Sequence, residues 1–340
     1  MQEKSILPID SPGQAKYIGR ERKRRIFAGP QPARGRAEKP ESRLIMRNRT
    51  KGRGSLGMFI ASMLIFGTIG VFRRHILLPS AFLAFARGIL GGLFLLGFIH
   101  LRGGGARRPL PRRLLLRLAL TGAMIGFNWM LLFEAYNHTT VAVATLCYYM
   151  QPTIVILLSP LVFRERLTGR KAVCALVSIL GMALVSGVIG DQGGGDRLGI
   201  LLGLGAAALY AGVVIANKKT QGVDAYQRTT VQLLAAGGVM LPYLLLTGGF
   251  GGIVFTPAAL LLLLAVGIIH TGLAYALYFG SMEGLDVQSI GVLSYIDPVS
   301  ALIFSALLLK EPLTWMNVIG ACLIIGSAVI SEMKREKEQE

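Results

Sequence analysis

Tyr148-Tyr149-Met150-Gln151-Pro152, running on to Phe163-Arg164-Glu165-Arg166-Leu167-Thr168, occurs twice in this chain. Adding 146 to each number leads to Ser294-Tyr295-Ile296-Asp297-Pro298, running on to Leu309-Lys310-Glu311-Pro312-Leu313-Thr314. Tyr149 meets Tyr295, Pro152 meets Pro298, Ser159 meets Ser305, Glu165 meets Glu311 and Thr168 meets Thr314, without a gap. The register extends upstream, where Gly126, Leu131, Phe133 and Val141 meet Gly272, Leu277, Phe279 and Val287. It also extends downstream, where Ala175 and Ile179 meet Ala321 and Ile325. Two copies of one unit therefore account for most of the chain.

The composition says what kind of unit it is. Of 340 residues, 53% are apolar and only 16% charged, too oily for a soluble domain of this length. The net charge of +18 is uneven, since residues 1–54 hold 15 Lys/Arg against 5 Asp/Glu, leaving +8 for the rest. A basic tail of this kind, without interleaved aromatics, is read as lying at the anionic cytoplasmic lipid surface rather than on nucleic acid. Cys147, Cys174 and Cys322 all fall in apolar runs. They imply neither a disulfide framework nor a metal site, and are read as small buried apolar side chains.

From Ser55 onward, apolar runs of about 20 residues alternate with short loops, the length a helix needs to cross the hydrocarbon of a bilayer. Ten are expected, near 55–72, 80–101, 113–133, 140–163, 170–190, 198–217, 227–247, 257–279, 286–309 and 313–332. Strands with open edges would leave backbone groups unpaired in lipid, so the fold class is all-α, an integral membrane protein. Residues 1–54 are expected to be a disordered tail, 55–190 the first repeat, 198–332 the second, and 333–340 a short charged tail. No cleavable signal peptide is visible, and Met46, just before a compact basic lead-in, is a candidate start.

Loops on the side of the N-terminus carry Arg102, Arg107, Arg108, Arg112, Arg113, Arg164, Arg166, Arg170, Lys171, Lys218, Lys219 and Arg228. The opposite loops carry only Arg73, Arg74, Arg197 and Lys310. Both termini are therefore expected in the cytoplasm. Five helices per repeat is an odd number, so the second copy enters from the other face and the repeats are inverted. That arrangement recurs in secondary transporters, with the substrate site at the repeat interface.

The candidate site residues are the polar and aromatic groups at mid-membrane depth. Pro152 and Pro298, inside the fourth and ninth helices, free the carbonyls of Tyr148 and Ser294, which is tolerated where they face protein or a water-filled cavity. Asp297 and Arg87 are intramembrane charges whose repeat equivalents are Gln151 and Leu233. Each carries a cost of about 2.5–3.5 kcal/mol on insertion scales, so each is expected to face the interior, to pair with the other, or to meet a charged substrate group. Asn128, Trp129, Tyr148, Tyr149, Tyr210 and Tyr275 offer stacking and hydrogen bonds to an organic solute, with ordinary packing as the alternative. His270 is read as a satisfied interior histidine or a proton relay. Glu134 is expected at the interface, and the Glu165 and Glu311 boxes are read as turn structure, with Thr168 and Thr314 capping the helices that follow. Gly88/Gly92, Gly122/Gly126 and Gly199/Gly203 are read as helix packing within the chain.

The bend at Pro152, the Phe163–Thr168 box, Gly181-Met182-Ala183-Leu184, the Phe85-Ala86-Arg87 element and the echoes at Pro298, Leu309–Thr314 and Gly326 resemble the paired EamA domains of the drug/metabolite transporter superfamily. The resemblance covers about 55–332. It implies a ten-helix carrier of small metabolites in the cytoplasmic membrane, often working outward.

No phosphate-binding GxxxxGK[ST] loop is present, so the energy for such a carrier would come from a gradient. An intramembrane enzyme is the alternative, as is a channel or scaffold using Asp297 and Arg87. The enzyme is disfavoured because His75, His100, His138 and His270 form no cluster and Asp297 has no second carboxylate at its depth. No catalytic residue, cofactor or metal is assigned.

Overall fold

The computed structural model describes residues 40–102, 110–164, 167–185, 197–218, 220, 222–251, 253–282, 285 and 287–333, with side chains from Gly54 onward except at 287, 288 and 332. Most of the expected tails, Glu165 and Arg166 of the first box, and the loop arginines 107 and 108 lie outside the described residues. Among the described residues every regular element is helical.

In chain order the elements are α1 Pro40–Gly67, α2 Ile69–His75, α3 Ser80–Leu101, α4 Arg112–His138, α5 Val141–Tyr148, α6 Gln151–Phe163, α7 Gly169–Val185 and α8 Arg197–Lys218. There follow α9 Ala225–Leu246, α10 Pro257–Leu264, a π-helical segment Ala265–Leu273, α11 Ala274–Met282, α12 Val287–Leu293, α13 Ile296–Leu308 and α14 Trp315–Glu332. α1 begins inside the stretch read as a structureless tail. Pro40 suits a first helical position, and the Leu, Met, Arg and Lys after it propagate a helix well.

Among the described residues eight stretches are long and apolar enough to cross a membrane: Gly54–His75, Ser80–Leu101, Arg112–His138, Val141–Phe163, Arg197–Lys218, Ala225–Leu246, Pro257–Met282 and Ser289–Leu308. Trp315–Ser331 is a shorter apolar helix. The run expected at 170–190 forms the 17-residue α7, after which residues 186–196 are outside the description. Leu116, Leu176, Leu201, Leu261 and Leu307 are each more than half exposed on the outer faces of their helices. In water such leucines would be a liability; facing lipid tails they have no reason to be buried.

Small residues set the closest crossings. A Cβ added at Gly88 of α3 would sit 2.6 Å from the Gly237 amide nitrogen of α9, and one at Gly181 of α7 would sit 2.8 Å from the Gly320 carbonyl of α14. The Gly122/Gly126 pair packs α4 on α9 against Gln232 and Ala236, and Gly199/Gly203 of α8 meet Thr139 and Cys147, so all three glycine pairs pack within the chain. Around these crossings Leu83, Leu95, Leu118, Phe133, Met240 and Leu244 are completely enclosed. Cys147 and Cys174 are buried as expected, whereas Cys322 is exposed on α14.

Among the described residues four of the long helices are interrupted. α1 stops at Gly67 and α2 restarts at Ile69, with Thr68 between them. α5 stops at Tyr148 and α6 restarts at Gln151, with Pro152 in its first turn; α12 stops at Leu293 and α13 restarts at Ile296, with Pro298 in its first turn. The bend read from each proline is a break in the helix. At both places the backbone tightens to i→i−3 bonds, Met150 to Cys147 and Tyr295 to Val292, because the proline ring excludes the carbonyl four residues back. The remaining interruption, the π segment, leaves no mark in the apolar pattern. Arg164 and Lys310, matched by the repeat, both take a left-handed conformation, φ 56° and 55°. Thr314 caps α14 by accepting from Asn317 N at 3.2 Å, and Thr168 accepts from Lys171 N at 3.4 Å, as the repeated box implied.

Replacing Gly88 with Val should destabilise the protein by about 1–3 kcal/mol, because the added carbons meet α9 backbone that has little room to retreat. Gly97→Ala, where nothing lies within 4 Å, should be neutral. Detergent unfolding curves of the two variants measure the difference.

Candidate functional site

The interrupted helices enclose a cavity of about 410 Å³, within the range that holds a small organic molecule. α1, α2, α3, α4, α5, α6, α8, α9, α11 and α13 all contribute to its wall. Tyr148 and Ser294, each four residues before one of the two prolines, both lie on that wall, and the Ser294 carbonyl accepts from the Asp297 amide at 3.3 Å. The two proline breaks therefore border a region where irregular backbone has an alternative to lipid.

Arg87 projects from the middle of α3 and is 5% exposed. Its Nε–H donates to Thr271 Oγ1 at 2.8 Å, and its guanidinium carbon lies 4.1 Å from the Trp129 ring centre and 5.7 Å from that of Phe133. The π segment makes this possible. Its wide turn aims the Thr271 hydroxyl at the Val266 carbonyl five residues back, 2.9 Å away, and leaves the oxygen's lone pairs for Arg87. Asp297, in the first turn of α13, accepts from the Tyr149 hydroxyl at 2.5 Å. Pairing with each other was one expectation for Arg87 and Asp297, beside contact with a charged substrate group. They line the same cavity instead, one held by threonine and indole and the other by tyrosine, with no ion-pair contact between them.

Of the other sequence candidates, Trp129, Tyr148, Tyr149, Gln151, Tyr210 and Tyr275 also line the cavity. The tyrosines fall in two aromatic groups on the wall: Tyr148 meets Tyr149 edge-on at 5.8 Å and Tyr210 at 5.6 Å, and Tyr275 meets Phe66 at 5.3 Å. Asn128 and His270 are not on the lining. Asn128 is fully buried and donates to the Ala206 carbonyl at 2.6 Å, which ties α4 to α8. His270 lies 2.9 Å from Thr68 Oγ1 and 3.3 Å from the Ala265 carbonyl, and packs edge-on against Phe72 at 4.4 Å, so both ring nitrogens have partners.

Several residues escaped the sequence reading. Thr271 sits in an apolar run, and only the π turn brings it to Arg87. Gln232 donates to Thr121 at 2.7 Å and Asn217 at 2.8 Å, joining α4, α8 and α9 on the cavity wall. Arg228 was assigned to a loop, yet it lines the cavity where α8 and α11 end and α9 begins. At that end the lining residues Asn217, Arg228 and Met282 are part-exposed, whereas at the other end Gly70, Tyr136 and Thr145 are buried.

Beyond the buried end, Glu311 does more than shape a turn. It accepts from Arg74 at 3.0 Å, from the Val141 amide at the start of α5 at 2.8 Å, and from the Ser305 hydroxyl. Arg74 also donates to the Thr139 carbonyl at 2.8 Å. The neighbouring Arg73 is buried, donating to the Ile76 carbonyl and to Ser80, which in turn donates to Glu134 at 2.6 Å. α2, α4, α5 and the α13–α14 turn are thus tied together by charge-assisted hydrogen bonds.

The sequence profile described as the EamA-like transporter family matches residues 53–187 and 197–333. A Bacillus subtilis (strain 168) protein described as an uncharacterized transporter, YxxF, is 28% identical over 280 residues, covering 82% of this chain and 89% of its own. An Escherichia coli (strain K12) protein described as a probable amino-acid metabolite efflux pump is 28% identical over 241 residues, covering 66% of this chain and 78% of its own. One crystal structure of a protein, 21% identical, superposes with a TM-score of 0.58 over 82% of this chain and 96% of its own, which shows a shared fold.

In detergent stability cycles, Tyr149→Phe and Asp297→Ala should be non-additive by about 1 kcal/mol, since each removes the same hydrogen bond. The cycle of Arg87→Gln with Asp297→Asn should show the smaller coupling, as no direct bond joins that pair.

Proposed function

The chain belongs to the EamA-like transporter family, and we propose that this multi-pass membrane transporter is a secondary carrier that exports a small organic metabolite across the cytoplasmic membrane by alternating access. The observation that carries the reading is a single cavity bordered by two helix breaks at matched repeat positions, Tyr148–Gln151 and Leu293–Ile296. Discontinuous helices at the repeat interface are the usual frame of a carrier's binding site.

Ten membrane helices in two inverted repeats fit the same features. α3 packs on α9 and α7 on α14, each the second or fifth helix of its repeat against its counterpart, and the matched left-handed residues Arg164 and Lys310 end corresponding helices. The loop charges put both termini in the cytoplasm, so the part-exposed end at Asn217, Arg228 and Met282 faces inward. The Arg74–Glu311–Val141 cluster then closes the outer end. Arg87, Trp129, Tyr148, Tyr149, Gln151, Tyr210, Tyr275 and Asp297 are the substrate-contacting residues in this reading, and Asn128 and His270 support the wall behind them. The relative described as a probable amino-acid metabolite efflux pump supports outward movement of a small polar solute.

Proteoliposomes loaded with a metabolite mixture should show substrate-dependent counterflow, which a channel or scaffold does not. With the native cysteines removed, Val254→Cys should react with an impermeant thiol reagent from outside, and Gly222→Cys only after permeabilisation; the reverse pattern would sink the orientation.

Glu311→Gln should loosen the outer closure. The rate at which Thr145→Cys is labelled from outside should rise about tenfold, the value of one charge-assisted hydrogen bond. An unchanged rate would show that the cluster does not gate the cavity.

A further inference from the structure

Arg87 is a buried cation without a carboxylate partner. Its Nε–H is taken by Thr271 and Trp129 lies against the guanidinium, yet no acceptor among the described residues takes the hydrogens of Nη1 and Nη2. Those two nitrogens are not enclosed by protein either, so they open on the cavity that Arg87 lines. A guanidinium fixed at one edge and one face, with its outer fork free, matches the two oxygens of a carboxylate in plane. Two further features agree. Arg228 adds a second cation at the part-exposed end, against Asp297 as the cavity's carboxylate, so the wall has an excess of positive charge. The aromatic wall of Trp129, Tyr148, Tyr149, Tyr210 and Tyr275 offers flat apolar faces beside the fork, with the Tyr149 hydroxyl committed to Asp297.

Resting on the carrier reading above, we propose that the cargo is an organic carboxylate with a flat, ring-sized body, its carboxylate held in the Nη fork of Arg87 and its body against the tyrosine wall. Thr271 is the positioning residue: its hydroxyl fixes the guanidinium so that the fork points into the cavity. The volume of about 410 Å³ admits a single-ring acid with a short chain and leaves room for a few waters. A phosphate ester fits less well, because its second negative charge would face Asp297 with no additional cation at Arg87's depth.

The test uses three probes of one shape, 3-phenylpropionate, 3-phenylpropanamide and 3-phenylpropylamine, titrated calorimetrically into the purified full-length protein in detergent. Only the carboxylate should bind well, with the amide about tenfold or more weaker and the amine undetected. Arg87→Gln should weaken carboxylate binding by about tenfold to a hundredfold and leave the amide unaffected. Arg87→Lys should be intermediate, since it keeps the charge and loses the fork. Thr271→Val should lower carboxylate affinity severalfold, and Thr271→Ser should restore it. If Arg87→Gln does not fold, the wild-type probe series and the Thr271 pair decide. Equal binding of amine and carboxylate, no binding of the carboxylate, or unchanged affinity in Arg87→Gln would overturn the proposal. Arg87-dependent binding without counterflow in proteoliposomes would instead remove the carrier reading while the recognition stands. Counterflow of the amine alone would do the opposite.

Discussion

A backbone N–H or C=O left unpaired in hydrocarbon costs several kcal/mol, and the architecture of this protein follows from where that cost can be avoided. Regular helix satisfies the groups that face lipid. Every interruption of a long helix among the described residues, at Thr68, at Pro152, at Pro298 and through the π segment, carries residues of the cavity wall or residues that hold them. The breaks and the cavity are two aspects of one solution, since irregular backbone needs a polar or enclosed space and a binding site needs exposed polar groups.

The same logic sorts the charges. Arg73, Arg74, Glu134 and Glu311 gather at one end and bond to one another through Ser80, Thr139 and the start of α5, where several acceptors are close together. Arg87 and Asp297 lie deeper, and each has a neutral partner. A protein concerned with stability alone would bring the deep pair into contact or replace both with apolar side chains, because breaking a buried charge's pairing is strongly unfavourable. Here the two line one cavity, each with its own neutral partner. The π turn belongs to this arrangement, since a regular α-helix would not direct the Thr271 hydroxyl in the same way.

How far the sequence carried depended on whether a feature is periodic or pairwise. Helical class, the approximate limits of the long helices, the threonine caps and the twofold recurrence of the Pro and Glu boxes are written in local patterns, so they could be read residue by residue. Most of the expected lining residues also lie on the cavity, because polar and aromatic side chains at mid-membrane depth have few other places to go. Asn128 and His270 belong to the same group for the same reason, yet they turn to α8 and to Thr68 at the α1–α2 junction, a choice made by which neighbour offers a hydrogen-bond partner first.

The chain by itself determined that these segments are helices buried in lipid, since hydropathy and backbone hydrogen bonding depend only on the residues along one stretch. Tertiary structure decided that Glu311 reaches Arg74, 237 residues away, that Thr271 rather than Asp297 holds Arg87, and that Arg228 and Gln232 face the cavity. Those outcomes depend on how closely glycine-lined helices approach and on how far a π turn rotates a side chain. They are distances between segments, and no single segment encodes them.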